Sequence, residues 1–160
     1  MPGVAEHADI IGWLVELLLR VKNKAGIFVR SEAAYVLLYG PDWVRGSRIH
    51  DVVIYKSARM QAYRASTPDY ARKPYILVPD VCVEVVSQHD DPLEVEAKVV
   101  RYLEDGVQQV WVIYPRTRTV HVHTRGSDII RRLSENDTLD GGALVPTFSV
   151  QVSVLLSPEV

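Results

Sequence analysis

Between Val81 and Tyr114 the chain reads as strand, helix, strand, and this unit most restricts the folds open to it. Val81 to Val86 is a continuous strand-like run, apolar but for Glu84, of the kind found where a sheet is covered on both faces. Asp91-Pro92-Leu93-Glu94 then has the signature of a helix start, with Asp as N-cap, Pro at the first helical position and an acid at the third. Leu93, Ala97, Val100 and Leu103 supply an apolar face, and Gly106 ends the helix. Val110 to Tyr114 is the second strand. Two strands joined through a helix lie parallel with a right-handed crossover.

The flanking segments fit around this unit. Ile10, Ile11, Leu14, Leu17, Leu18 and Val21 recur at helical spacing, and Gly26 is a plausible stop. Strands are expected at Ile27 to Arg30, Ala34 to Tyr39 and Ile49 to Tyr55, with a turn over Gly40 to Ser47. Further strands are expected at Thr119 to His123, Asp128 to Leu133 and Phe148 to Leu155, with a turn at Asp140-Gly141-Gly142. The order predicts an α+β domain in which two helices flank a mixed sheet. With 160 residues, residues 1–160 are expected to form a single domain.

Composition excludes several classes. A net charge of -2 argues against binding nucleic acid through bulk positive charge. The lone Cys82 forbids an intrachain disulfide and a cysteine zinc cluster, and fits a reducing, intracellular setting. Ile10 to Leu19 is interrupted by Gly12 and Glu16 and is far short of the ~20 residues of a membrane span. No membrane partner is expected.

Two acids interrupt apolar strands. Asp51 follows His50 within Ile49 to Tyr55, and Glu84 sits mid-run in Val81 to Val86. An ionised carboxylate is costly to bury without a partner or a metal. Asp80 shares a strand face with Glu84, but four residues span about 13 Å, too far to share one ion. Glu84 therefore needs a partner from a neighbouring strand, and Asp51 is the candidate if the two strands are adjacent and in register. The same pattern is open to a simpler reading, in which each acid faces solvent or pairs with Arg48 or Lys56. Lys98 lies one turn after Glu94 and one turn before Tyr102, a spacing that also suits a surface Glu94–Lys98 pair.

Residues 56–73 hold Lys56, Arg59, Arg64, Arg72 and Lys73 against Asp69 alone, with Tyr63 and Tyr70 interleaved. This basic stretch is expected to be a long loop with at most one helical turn. Arg59, Tyr63, Arg64, Arg72 and Lys73 are its candidate nucleic-acid contacts, and a solvated connector is the alternative. His121 and His123 alternate on one strand face and are expected to be structural or surface histidines.

Asp51, then Val83-Glu84-Val85-Val86-Ser87, then Lys98 with Tyr102, Gly106-Val107 and Trp111, resemble the Uma-type family of restriction endonucleases, within the PD-(D/E)xK nuclease superfamily. The match runs in order from about His7 to Leu155. The resemblance implies a restriction-endonuclease-like core with extra C-terminal strands. It implies a metal-dependent nuclease in which Asp51 and Glu84, with the Val85 carbonyl, bind Mg or Mn and Lys98 positions water. It also implies a nucleic-acid partner, DNA, a cytoplasmic setting and a homodimer. His7 matches a histidine common before the first helix in this family. The superfamily's usual lysine position is Val86. In this branch the lysine is moved to the following helix, at Lys98, and two departures from the family pattern remain. His50 stands where proline is common, and Gln88-His89 replace a proline and a small polar residue. A relative that keeps the fold as a binding or assembly module is the alternative reading.

Overall fold

The computed structural model describes residues 4–160. In chain order its elements are α1 (Val4–Ala25), β1 (Ile27–Ser31), β2 (Ala34–Tyr35), α2 (Trp43–Gly46), β3 (Arg48–Ile49), β4 (Val52–Lys56), α3 (Ser57–Ser66), β5 (Val81–Val85), α4 (Pro92–Asp105), β6 (Gln109–Tyr114), β7 (Thr119–Thr124), β8 (Ile130–Leu133), β9 (Thr138–Asp140), β10 (Ser149–Gln151) and α5 (Val152–Leu155). One sheet runs β1-β4-β5-β6-β7-β8, and two small two-stranded sheets pair β9 with β10 and β2 with β3. β5 and β6 are parallel, as the strand-helix-strand unit requires, and the other neighbours in the large sheet are antiparallel.

The central strands read as apolar throughout because both of their faces are covered. Side chains alternate between faces along each strand. Val52, Ile54, Val83, Val85, Trp111 and Ile113 therefore pack with Ile10, Leu14 and Leu18 of α1. Val53, Cys82, Val110 and Val112 pack with Val95, Val99 and Tyr102 of α4. The ends of α4 are as the sequence implies. Asp91 Oδ1 accepts a hydrogen bond from Leu93 N at 2.8 Å, and Gly106 takes φ 112°, a conformation that favours glycine. Among the described residues no helix is long and apolar enough to cross a membrane.

Four expectations need correction. Residues 57–66 are a helix, and Tyr70–Arg72 a single 3-10 turn, so 56–73 is not a long loop. Ala58, Met60, Gln61, Ala62, Arg64 and Ala65 all favour helix, and the basic charge of the stretch masks that preference. The expected strand Ala34 to Tyr39 shrinks to Ala34–Tyr35. The expected strand Ile49 to Tyr55 is broken at His50–Asp51, between β3 and β4. There His50 N bonds Ala33 O at 3.1 Å and Glu32 N bonds Asp51 O at 2.9 Å, which holds a corner at the end of the sheet. Finally, Phe148 to Leu155 gives a short strand and then a helical turn. Val152 and Leu155 turn inward there to join the α1 side of the core. The pairing of β9 with β10 was not foreseen from the sequence.

Candidate active site

The corner at His50–Asp51 sets the site. In the antiparallel pairing of β4 with β5, Val52 stands opposite Val83. Asp51 comes one residue before this pair on its strand and Glu84 one residue after it on the other, so both stand at the same end of the β4–β5 pairing. Glu84 lies two residues after Cys82, on the face covered by α4, where it meets Tyr102, whereas Asp51 sits in the corner before β4. Asp51 Oδ2 accepts a hydrogen bond from Val85 N at 2.7 Å, which ties the two strand ends together. His7 Nε2, from the first turns of α1, stands 3.3 Å from the same oxygen. Arg48 pairs instead with Asp105 at 3.0 Å, so it does not neutralise either acid.

Glu84 is buried at 8% exposure. Its Oε1 accepts the Tyr102 hydroxyl at 2.9 Å, and His50 Nδ1 is 3.5 Å away. His50 is enclosed between two rings. It stacks on Tyr35 at 5.1 Å and meets the edge of Tyr102 at 4.2 Å. Neither of its buried ring nitrogens has a hydrogen-bond partner among the described residues. The sequence marks His50 only by its place before Asp51. The contact with Glu84 depends on Tyr35 and Tyr102, which come from distant stretches.

Burial pushes the Asp51 carboxyl above its usual value of 3.8, and the Glu84 charge pushes it further. The Val85 N–H and His7 act in the opposite direction without cancelling the rise. The folded protein thus keeps this proton at a pH where the unfolded chain has lost it, so the group's contribution falls as pH rises from 3.8 through the raised value. Asp51→Asn is expected to flatten that part of the stability profile. Denaturant midpoints of both proteins across the acid range check it, and parallel profiles would contradict the burial of this charge.

The pair is suited to a hard divalent cation. Neither acid has a Lys or Arg partner among the described ion pairs. In an extended strand a residue's N–H and C=O point to the same side. The Val85 carbonyl therefore faces the side on which β4 has ended. No three His, Cys, Asp or Glu side chains converge on a metal-binding point among the described residues. Mg²⁺ needs no such cluster, because one or two carboxylates suffice and water and substrate fill the rest.

Lys98 is exposed, and forms no ion pair among the described residues, with Glu94 included. It lies one helical turn before Tyr102, on the helix whose hydroxyl holds Glu84. The basic segment is placed elsewhere. It follows the far end of β4, roughly 16 Å of strand away from Asp51. Arg59 is paired with Asp80 at 2.9 Å, and Lys73 with Asp69 at 3.0 Å. The Tyr63 hydroxyl accepts from Ile76 N at 3.1 Å, and Arg64 lies over Phe28 and Tyr70 at 4.9 and 4.8 Å. Arg72 is exposed. The structure does not bring these side chains to the acid pair.

A family model described as "putative restriction endonuclease", Uma2, matches residues 1–154. The chain belongs to the Uma2 family. Among solved structures, the Uma2 chain is similar to a "putative nuclease belonging to DUF820" from Anabaena variabilis ATCC 29413, with a TM-score of 0.75 at 16% identity. The match covers 94% of this chain and 80% of that one. No curated protein matches. The Uma2 chain thus has a mixed α+β fold of the restriction-endonuclease-like kind, and its family supports a nuclease-like function.

Proposed function

We propose that this protein is a divalent-metal-dependent endonuclease that hydrolyses phosphodiester bonds, with DNA as its substrate. The observation that carries the reading is the meeting of Asp51 and Glu84 at the facing ends of β4 and β5. Asp51, Glu84 and the Val85 carbonyl would hold Mg²⁺ or Mn²⁺. When bound, such an ion neutralises a phosphate oxygen and lowers the pKa of coordinated water.

The chain's own groups divide the remaining work. Tyr102 donates to Glu84 Oε1, which leaves the second carboxylate oxygen for the cation. The Val85 N–H fixes Asp51 Oδ2, and His7 meets the same oxygen from the α1 side. Lys98, exposed and free of an ion pair among the described residues, extends from α4 to orient water or to stabilise developing negative charge. A second copy of the chain would let two such sites address two strands.

Incubation of supercoiled plasmid and of single-stranded DNA with Mn²⁺ or Mg²⁺ is expected to give cleavage that EDTA abolishes. Intact DNA under every divalent condition, with no thermal stabilisation by the metals, would remove this reading. Tyr102→Phe is expected to keep the fold and weaken Mn²⁺ affinity about 10- to 100-fold, the usual effect of losing a group that orients a ligand. Calorimetric titration with Mn²⁺ measures this directly. Unchanged affinity would mean that the hydroxyl does not orient Glu84.

A further inference from the structure

A cleft of about 520 Å³ opens beside the acid pair. His7 lines it and also contacts Asp51, so the two are continuous. Val86, Val95 and Tyr114 give it apolar walls, and Arg116 of the β6–β7 turn stands at its polar margin. From Tyr114 the aromatic surface continues along β7. The His121 ring lies 4.7 Å from Tyr114, and the His123 ring 6.5 Å from His121. This stretch of sheet is only partly covered. His121 and His123 are half-buried, and Arg132, opposite His121 on β8, is exposed.

The charges around this track oppose one another. Arg116 and Arg132 have no ion-pair partner among the described residues, while Glu6 lines the cleft and Glu96 acts on both Tyr114 and His123. Burial and Arg132 hold His121 below the ordinary imidazole range. Burial and His121 do the same to His123, with Glu96 opposing. At neutral pH the two rings are therefore uncharged surfaces rather than cations. Paired and unpaired DNA alike are held through phosphates, which Arg116 and Arg132 are placed to meet, so what separates the two forms here is the access of bases to aromatic faces. Unpaired bases need π-faces and an apolar recess, which it has.

Resting on the nuclease reading, we infer that the cleft and the Tyr114–His121–His123 row seat unpaired nucleotides beside the scissile phosphate, so that the substrate is a single strand or a duplex opened at the cleavage point. Tyr114 stacks on the first displaced base, and Arg116 meets a phosphate at the margin.

Fluorescence anisotropy in EDTA separates binding from cleavage. The full chain is titrated into a labelled single strand and into the same sequence as a blunt duplex. The single strand is expected to bind at least about tenfold more tightly. Tyr114→Ala is expected to weaken single-strand binding about tenfold or more, the scale of one lost stacking contact, whereas Tyr114→Phe retains it. Arg116→Gln, on an exposed turn, is expected to lower affinity with an unchanged melting temperature, which keeps the test decisive if Tyr114→Ala unfolds. Equal affinity for the two DNA forms would overturn the inference, as would full single-strand binding by Tyr114→Ala and Arg116→Gln. A preference for the single strand without any metal-dependent cleavage would support the cleft and overturn only the nuclease reading. Metal-dependent cleavage with no preference for unpaired DNA would do the reverse.

Discussion

Asp51→Asn and Glu84→Gln are each expected to remove the response to divalent metal, and with it cleavage. A metal bound to the folded chain at about 100 times its Kd adds ~2.7 kcal/mol of stability. For a chain of this length that raises Tm by roughly 5–10 °C. Both substitutions keep the side-chain shape and remove the charge. In Asp51→Asn the amide oxygen still accepts the Val85 N–H bond, so the strand ends stay joined. The metal-free variant is expected to be at least as stable as the parent, because it loses a carboxylate that burial and Glu84 both disfavour. Cleavage is expected to fall by at least ~100-fold, the scale for loss of one group that stabilises charge in the transition state. Differential scanning fluorimetry with and without Mn²⁺, beside a plasmid cleavage assay, reads both effects. A metal-induced rise that survives in both variants would place the cation elsewhere and end the site as drawn.

Trp111→Ala carries the largest expected loss of stability. Trp111 is fully buried in β6, stacks on Phe148 at 5.8 Å, and donates from its indole nitrogen to Gln109 Oε1 at 3.1 Å. It joins the central sheet to the C-terminal segment, where Phe148, Val150 and Leu155 share the same core. Truncation removes the largest side chain from that layer and leaves a cavity that the sheet cannot collapse. A cost of about 3–5 kcal/mol is expected. That corresponds to a fall in Tm of roughly 10 °C. Urea denaturation of the two proteins measures it, and a loss below about 1 kcal/mol would show that the Trp111–Phe148 layer is not a core contact.

Much of the fold was legible because it is local. The near-continuous apolar runs beside Asp51 and around Glu84 mark strands buried on both sides. Asp91, Pro92 and Gly106 mark the two ends of α4, and their effects need no distant partner. The helix at 57–66 was not legible, because its charge and the following Pro68 and Pro74 outweighed its helix-forming residues. The role of His50 was equally hidden. Its ring is held by Tyr35 and Tyr102, and nothing adjacent in the chain announces either contact. The partners of the basic stretch were hidden in another way. Its composition suits nucleic acid, yet most of its cations are matched within the fold to Asp80, Asp69 and aromatic faces.

By itself, the sequence determined that Glu84 would interrupt a strand covered by helices and that Asp51 would lie beside another such strand. That information lies in spacings of two and of three to four residues, which short stretches of chain express on their own. Only the tertiary structure decided that Asp51 and Glu84 stand at the same end of one strand pair, with Tyr102 and His7 beside them and the basic helix at the other end. Register between strands comes from side chains packed across the sheet and from a backbone corner held by Glu32 and Ala33, and those forces act between residues far apart in the chain.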